Sequence, residues 1–373
     1  MIPAVLVAIA LLTFFNGAND NFKGVATLYG ARTASYRTAL RWATVMTAAG
    51  GMLAPVIAAG LIGVFKAKGL VPASVASSTS FIASATLAAA ATIAVATWAG
   101  LPVSTTHALT GGLVGAGLLA AGSALNLGVL GKTFALPLAV GPFVAVAVAA
   151  LLGAVARRAS AALDVKSNDC VCVGVEWIPV TQLRREATTA AAMPTLTVMT
   201  GKSEVCIRRY SGSVLGLSTQ RVMDTMHFIS AGAVSFARGV NDTPKLFALI
   251  LAAGVLRDDT VLAVAGIAAI MAVGGLVGAR RVAETTANKV VAIDPGTGLV
   301  ANVTAAALVI TGSIFKLPLS TTHVTMGGIL GAGIGQTKVS WKMFGTIALA
   351  WVTTLPIAAA FGAGIFLLLS RVT

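Results

Sequence analysis

The sequence predicts an all-α polytopic membrane protein made of two inverted repeats of about five spans each, with re-entrant or broken helices. Three observations lead there. Hydrophobic residues make up 57% of the 373 residues, charged residues only 10%, and the mean hydropathy is +0.91, whereas a soluble chain carries about a quarter charged residues. The apolar runs are rich in Ala, Leu, Val and Gly and poor in aromatics, which suits closely packed membrane helices. Two polar phrases also occur twice, in the same order. GANDNFK at 17–23 returns as GVNDTPK at 239–245, and LPVSTTH at 101–107 returns as LPLSTTH at 317–323. Each LP-x-STTH phrase runs into glycines, TGGLVGAG at 110–117 and MGGILGAG at 326–333. Doubled polar motifs inside apolar sequence indicate a duplicated chain whose halves build one shared site near the bilayer midplane.

In chain order, the expected spans of the first repeat (1–156) are 2–29, 39–63, 72–99, 102–121 and 133–156. Residues 2–15 are apolar without a basic leader, so they read as the start of the first span and not as a cleaved signal. Segment 102–121 opens with Pro and is Gly-rich, as is 317–335, so each is either a crossing or a re-entrant hairpin. Residues 157–221 are the polar stretch, expected to be an insert or linker with β-prone runs at 171–180 and 196–210 and a Gly-Lys turn at 201–202. Cys170, Cys172 and Cys206 all fall there; no His lies close by, and C-x-C reads as alternation along a strand. The second repeat (222–373) has expected spans at 222–256, 260–279, 290–315, 317–335 and 341–370. Five spans per half is odd, so the second half enters from the opposite side and the repeats are inverted.

The net charge of +14 follows the topology and does not point to nucleic acid. With an outside N-terminus, seventeen basic residues fall inside. They are Arg32, Arg37, Arg41, nine between Arg157 and Arg221, and Arg280, Arg281, Lys289, Lys338 and Lys342. Six fall outside: Lys66, Lys68, Lys132, Arg257, Lys316 and Arg371. The positive-inside rule then puts 157–221 in the cytoplasm and both termini outside, and anionic inner-leaflet lipid answers the charge. Lys23, Arg238 and Lys245 sit at the doubled motif instead.

In LPVSTTH, Pro suits a first helical turn, and Ser104, Thr105 and Thr106 present hydroxyls and free N–H groups. Such a half-helix N-terminus binds an oxyanion without a charged side chain. Ser320, Thr321 and Thr322 repeat it, so two ends can cradle a tetrahedral anion. Asp20 and Asp242 lie in apolar runs, where a carboxylate is costly and usually functional. Asn19 and Asn241 precede them, and Lys23 and Lys245 follow three residues later on the same helix face. Gly17 and Gly239 are expected to let the helix break and free carbonyls for a cation. This is the signature of a coupling-ion or proton site beside the anion site. His107 and His323 follow the triads as a candidate relay or substrate contact. His227 carries no assigned role, and Glu284 and Asp294 read as interfacial. No nucleophile–base–metal set supports an enzyme.

The doubled N-D and STTH motifs resemble the inorganic phosphate transporter (PiT) family, over both halves and all but residues 157–221. The resemblance implies secondary transport of inorganic phosphate with H+ or Na+ as coupling ion and no other cofactor. It also implies a helical, commonly homodimeric protein of the cell membrane, with re-entrant hairpins. Ser104, Thr105, Thr106, Ser320, Thr321 and Thr322 would contact phosphate. Asn19, Asp20, Asn241 and Asp242 would hold the anion or its cation, with Na+ at Asp20 and Asp242. The family's N-D motif continues with small or amide residues, whereas this chain has N-F-K-G and T-P-K-L. An ammonium there either takes the place of a bound sodium or touches the anion. Another oxyanion such as sulfate, or a channel-like or receptor role on the same fold, are the alternative readings.

Overall fold

The computed structural model describes residues 2–67, 69–162, 169–180, 191–202, 215–254, 260–289, 292–334 and 339–371. The chain divides into one unit formed by 1–153 with 227–373 and a second formed by 154–226. Cys206 and the rest of 203–210 lie outside the described residues.

The larger unit is helical. Helix α1 (Ile2–Asp20) ends at the first N-D motif, and a 3-10 turn (Lys23–Val25) leads into α2 (Ala26–Gly30). Next come α3 (Tyr36–Ile57), capped by Ser35, and α4 (Ala59–Phe65). Then follow α5 (Ala73–Ala76), α6 (Thr79–Trp98) and α7 (Thr105–Ala121). A short α8 (Leu127–Val129) passes through a π-helical stretch (Leu130–Ala135) into α9 (Leu136–Ala162). The second half runs α10 (Thr219–Ala252), α11 (Thr260–Gly278), α12 (Arg280–Asn288), α13 (Pro295–Ile314), α14 (Thr321–Gly333) and α15 (Trp341–Leu369). Asp294 caps α13, accepting from the N–H groups of Gly296 and Thr297.

Eight helical segments among the described residues are long and apolar enough to cross a membrane. For segment 317–335, expected as a crossing or a re-entrant hairpin, the described part, 317–334, is too short for a crossing. It is an extended LPLS entry followed by 13 helical residues, which reach only about 20 Å of the roughly 30 Å hydrocarbon core. Helix α10 is long enough, but carries the second N-D motif and its cations through its middle. The expected helix break at that motif is not found: α10 continues through Gly239, Asn241, Asp242 and Pro244. In the first half the break comes after Asp20, not at Gly17.

Close packing explains these glycines. A Cβ at Gly17 would overlap the Met271 carbonyl on α11, and one at Gly239 would overlap the Thr47 carbonyl on α3. The glycine runs after STTH do the same. Gly111 and Gly115 bring α7 onto Leu355 and Ala359 of α15, and Gly327 and Gly331 bring α14 onto Pro142 and Val146 of α9. Backbones approach as small-residue membrane interfaces allow. The alanine-rich α6 is buried against α1, α7 and α15, while residues such as Val56, Phe143 and Val352 face outward.

The smaller unit contains a three-stranded antiparallel sheet of order β2-β1-β3, with β1 (Asp169–Val180), β2 (Ala191–Lys202) and β3 (Leu215–Ser218). Cys170 and Cys172 lie on β1. Gly201 and Lys202, expected as a turn, are strand residues of β2 paired with Cys170 and Asp169.

The packing carries a test. Gly115→Leu or Gly331→Leu should lower stability by about 3 kcal/mol through overpacking, seen as lost monodisperse protein and a reduced thermal midpoint in detergent. Gly345→Leu, where an added Cβ meets nothing within 4 Å, should leave both unchanged.

Candidate anion and charge-relay site

The doubled motifs converge. Ser104 and Ser320 sit in extended backbone just before α7 and α14, and each Oγ accepts from the N–H three residues on, at His107 (3.1 Å) and His323 (3.2 Å). Each serine is therefore an N-cap, and the N–H groups of the first helical residues, at 105–106 and 321–322, keep no helical acceptor. The prolines at 102 and 318 fall before the caps, in the extended entries, and not at the first helical positions expected of them.

The carboxylates are tied to these ends crosswise. Lys23 Nζ donates to Asp20, to Asn19 Oδ1 (2.8 Å), to the Val103 carbonyl (2.7 Å) and to Thr322 Oγ1 (2.8 Å). Lys245 Nζ donates to Asp242 Oδ1 (2.8 Å) and to Thr106 Oγ1 (2.7 Å). Thr322 donates in turn to the Val103 carbonyl (2.8 Å) and Thr106 to the Leu319 carbonyl (3.3 Å). Each lysine thus pairs with the aspartate of its own half and with the hydroxyl of the other half. Thr105 Oγ1 donates to Asp20 Oδ2 (2.9 Å). Thr321, at the first turn of α14, is 7% exposed, and no other residue of the two triads or two N-D-K sets exceeds 3%.

The asparagines brace the entries. Asn19 Nδ2 donates to Thr97 Oγ1 (2.9 Å) and the Leu101 carbonyl (3.1 Å), and its Oδ1 accepts from Val103 N–H (3.1 Å). Asn241 Nδ2 donates to the Leu319 carbonyl (3.2 Å), and its Oδ1 accepts from Ser313 Oγ (3.3 Å). Pinned in this way, the LPVS and LPLS strands keep their irregular backbone satisfied inside the protein.

The halves differ at one equivalent position. Asn16 stands three residues before Asn19; Arg238 stands three residues before Asn241. Asn16 Nδ2 donates to Thr105 Oγ1 (2.9 Å) and Asp242 Oδ2 (3.3 Å). Arg238 is 1% exposed and lies with Nε 3.4 Å from Asp242 Oδ2. Its other nitrogens donate to Asn16 Oδ1 (2.9 Å), Asn21 Oδ1 (3.1 Å) and Thr47 Oγ1 (3.4 Å). Three cationic side chains therefore face two carboxylates, leaving one positive charge in excess. Sequence reasoning had counted Arg238 only as a basic residue near the motif, and had passed over Asn16, Thr97 and Ser313. Alignment of the halves carries the signal for the last two: each precedes the Leu of its LP phrase by four residues.

His107 and His323 come together but outside this hydrogen-bonded set. Their ring centroids are 4.4 Å apart, and His323 lies 4.1 Å from Trp351, whose Nε1 donates to the Pro102 carbonyl (3.1 Å). His227 is buried beside Thr33, its Nδ1 3.3 Å from the Thr33 hydroxyl.

A family model described as the phosphate transporter family matches residues 16–362. Probable low-affinity inorganic phosphate transporters of Mycobacterium tuberculosis (strain ATCC 25618 / H37Rv) and Rhizobium meliloti (strain 1021) are 27% and 28% identical. The matches cover 96% of this chain in both cases, and 75% and 93% of theirs. A protein of the same description from Bacillus subtilis (strain 168) is 26% identical over 100% of this chain and 98% of its own. A solved structure described as the sodium-dependent phosphate transporter superposes with a TM-score of 0.74 at 20% identity, covering 100% of this chain and 99% of that one. At that identity the likeness speaks for the fold.

The asymmetric charge pairing makes an unequal outcome the test. Lys23→Met leaves Asp20 with the Thr105 hydroxyl as its hydrogen-bond donor, at a cost of about 3–5 kcal/mol for an uncompensated buried charge. Lys245→Met leaves Asp242 with Arg238 and should cost clearly less. Thermal unfolding of both variants in detergent checks this, and Asp20→Asn combined with Lys23→Met should recover much of the loss.

Proposed function

The chain belongs to the phosphate transporter family, and from that premise we propose that it carries inorganic phosphate across the cell membrane as the dihydrogen monoanion, by proton and not sodium symport. It is a multi-pass membrane transporter and not an enzyme. The observation that carries the proposal is the buried set of Lys23, Arg238 and Lys245 against Asp20 and Asp242. An unmatched charge away from water costs several kcal/mol. A monoanion cancels the excess, whereas a dianion such as sulfate leaves the opposite charge unmatched. A sodium ion at either aspartate would join three cations already there.

The anion would lie against the uncapped N–H groups of Thr105, Thr106, Thr321 and Thr322 and against the serine hydroxyls. The lysines now bonded to Thr106 and Thr322 would turn toward it. A proton then enters on the phosphate itself. Moving the net negative charge inward against an inside-negative potential costs about 2.3 kcal/mol per 100 mV, so accumulation calls for a second proton. His107 and His323 are the candidates to hold it. A proton on either ring adds to the positive excess and costs less with the anion bound than without it, which ties the two bindings together.

The crosswise pairs between the halves support reading them as inverted repeats that exchange roles in alternating access. The basic asymmetry supports outside termini and a cytoplasmic 157–221. A homodimer is part of the same proposal, from the family resemblance.

Uptake of labelled phosphate into proteoliposomes tests the coupling. It should proceed without sodium, and its initial rate should fall as pH rises through the second ionisation of phosphate at constant total phosphate. Sulfate in excess should not compete. An uncoupler should abolish accumulation against a gradient. Strict sodium dependence at fixed pH, or a rate that follows the dianion, would refute the proposal.

A further inference from the structure

Beyond the anion site, a cavity of about 690 Å³ lies among α7, α9, α14 and α15. Its walls are almost wholly apolar, including Leu138, Leu330, Ala348 and Leu355. Its rim carries Phe143 and Val352, which are 75% and 73% exposed and face outward from the helical unit. Its polar groups are His107 and His323. His323 is 4% exposed, and neither of its ring nitrogens has a hydrogen-bond partner among the described residues. His107 Nδ1 is likewise buried without a partner.

Unpaired imidazole nitrogens at such depth are costly. An apolar chamber with a few convergent polar atoms is the usual form of a small-ligand site, and this volume is in the ligand-sized range. Water alone is poorly suited to it, since apolar cavities stay dry. We propose that this cavity binds a membrane-soluble amphiphile, with its hydrocarbon body along α9 and α15 and a neutral head bearing a hydroxyl or carbonyl hydrogen-bonded to His323 and His107. The chemistry commits the occupant: the rim faces the hydrocarbon of the bilayer, and the inner end offers hydrogen bonds without a net charge partner.

The site bears on transport, on the reading above, because both histidines are third residues of the half-helices whose N-termini face the anion. A head group bonded to them takes the nitrogens that a second proton would use and holds α7 and α14 together. Bound amphiphile should therefore slow accumulation.

A bromine-labelled monoacylglycerol, titrated into proteoliposomes, is the probe. Its bromine quenches tryptophan on contact, and the difference between wild type and Trp351→Phe isolates Trp351, which lines the cavity and touches His323. Quenching of Trp351 should saturate with increasing probe. Ala348→Phe, which fills the cavity, should lose that saturable component while keeping sodium-free phosphate uptake. Quenching that rises in proportion to bulk probe, alike in wild type and Ala348→Phe, would overturn the site. A disulfide between two copies of an Ala348→Cys chain in the membrane would also overturn it, by assigning the cavity to a second copy. Uptake measured on the same vesicles reads the effect on transport separately, so failure of the phosphate reading leaves the quenching result intact.

Discussion

Everything at the centre of this molecule depends on two buried carboxylates that share their lysines with the opposite half of the chain. Asp20 and Asp242 are each neutralised within their own motif, but Lys23 also holds Thr322 and Lys245 also holds Thr106. A lysine satisfied only by its aspartate would make each motif a local feature. Bonding to the other half makes the site a joint property of both repeats. Breaking either crosswise bond frees an ammonium and a half-helix N-terminus at once, both of which favour an anion. On the proposed function, a bound anion would replace these contacts.

The departure from symmetry sets the charge. Asn16 and Arg238 occupy matching positions, yet one is neutral and the other is a cation fixed by Asp242, Asn16, Asn21 and Thr47. With an amide at both positions the set would be neutral, and an arriving anion would need a cation brought from solution. With Arg238 in place the compensating charge is built into the protein. The guanidinium also ties α1, α3 and α10 together, which fits its several donors better than an ammonium would.

Much of this was legible in the sequence because it was written twice. Doubling singled out Ser104 to Thr106, Ser320 to Thr322 and the two N-D-K sets, and low charge with Gly-rich runs indicated membrane helices. The glycines were misread where conformation and packing make the same demand on sequence. In the sequence Gly17 and Gly239 read as helix breaks, whereas in the structure they are contacts with Met271 and Thr47, and sequence alone holds no record of which helix lies opposite. Arg238 stands at the motif in the sequence, but its role was not legible there, because it breaks the repeat and doubling marks only what recurs. The cavity beside His323 could not be read at all, since it is formed by side chains from four helices distant in the chain.

The central claim is that the site carries one positive charge and takes phosphate as a monoanion. Calorimetric titration of the purified protein with phosphate, in buffers of differing ionisation enthalpy and on the alkaline side of the second phosphate ionisation, measures it directly. The dominant species in solution is then the dianion, so binding as the monoanion must draw protons from the buffer, at least about one for each phosphate bound, without sodium. Binding with no proton uptake, or binding that requires sodium, would contradict the account.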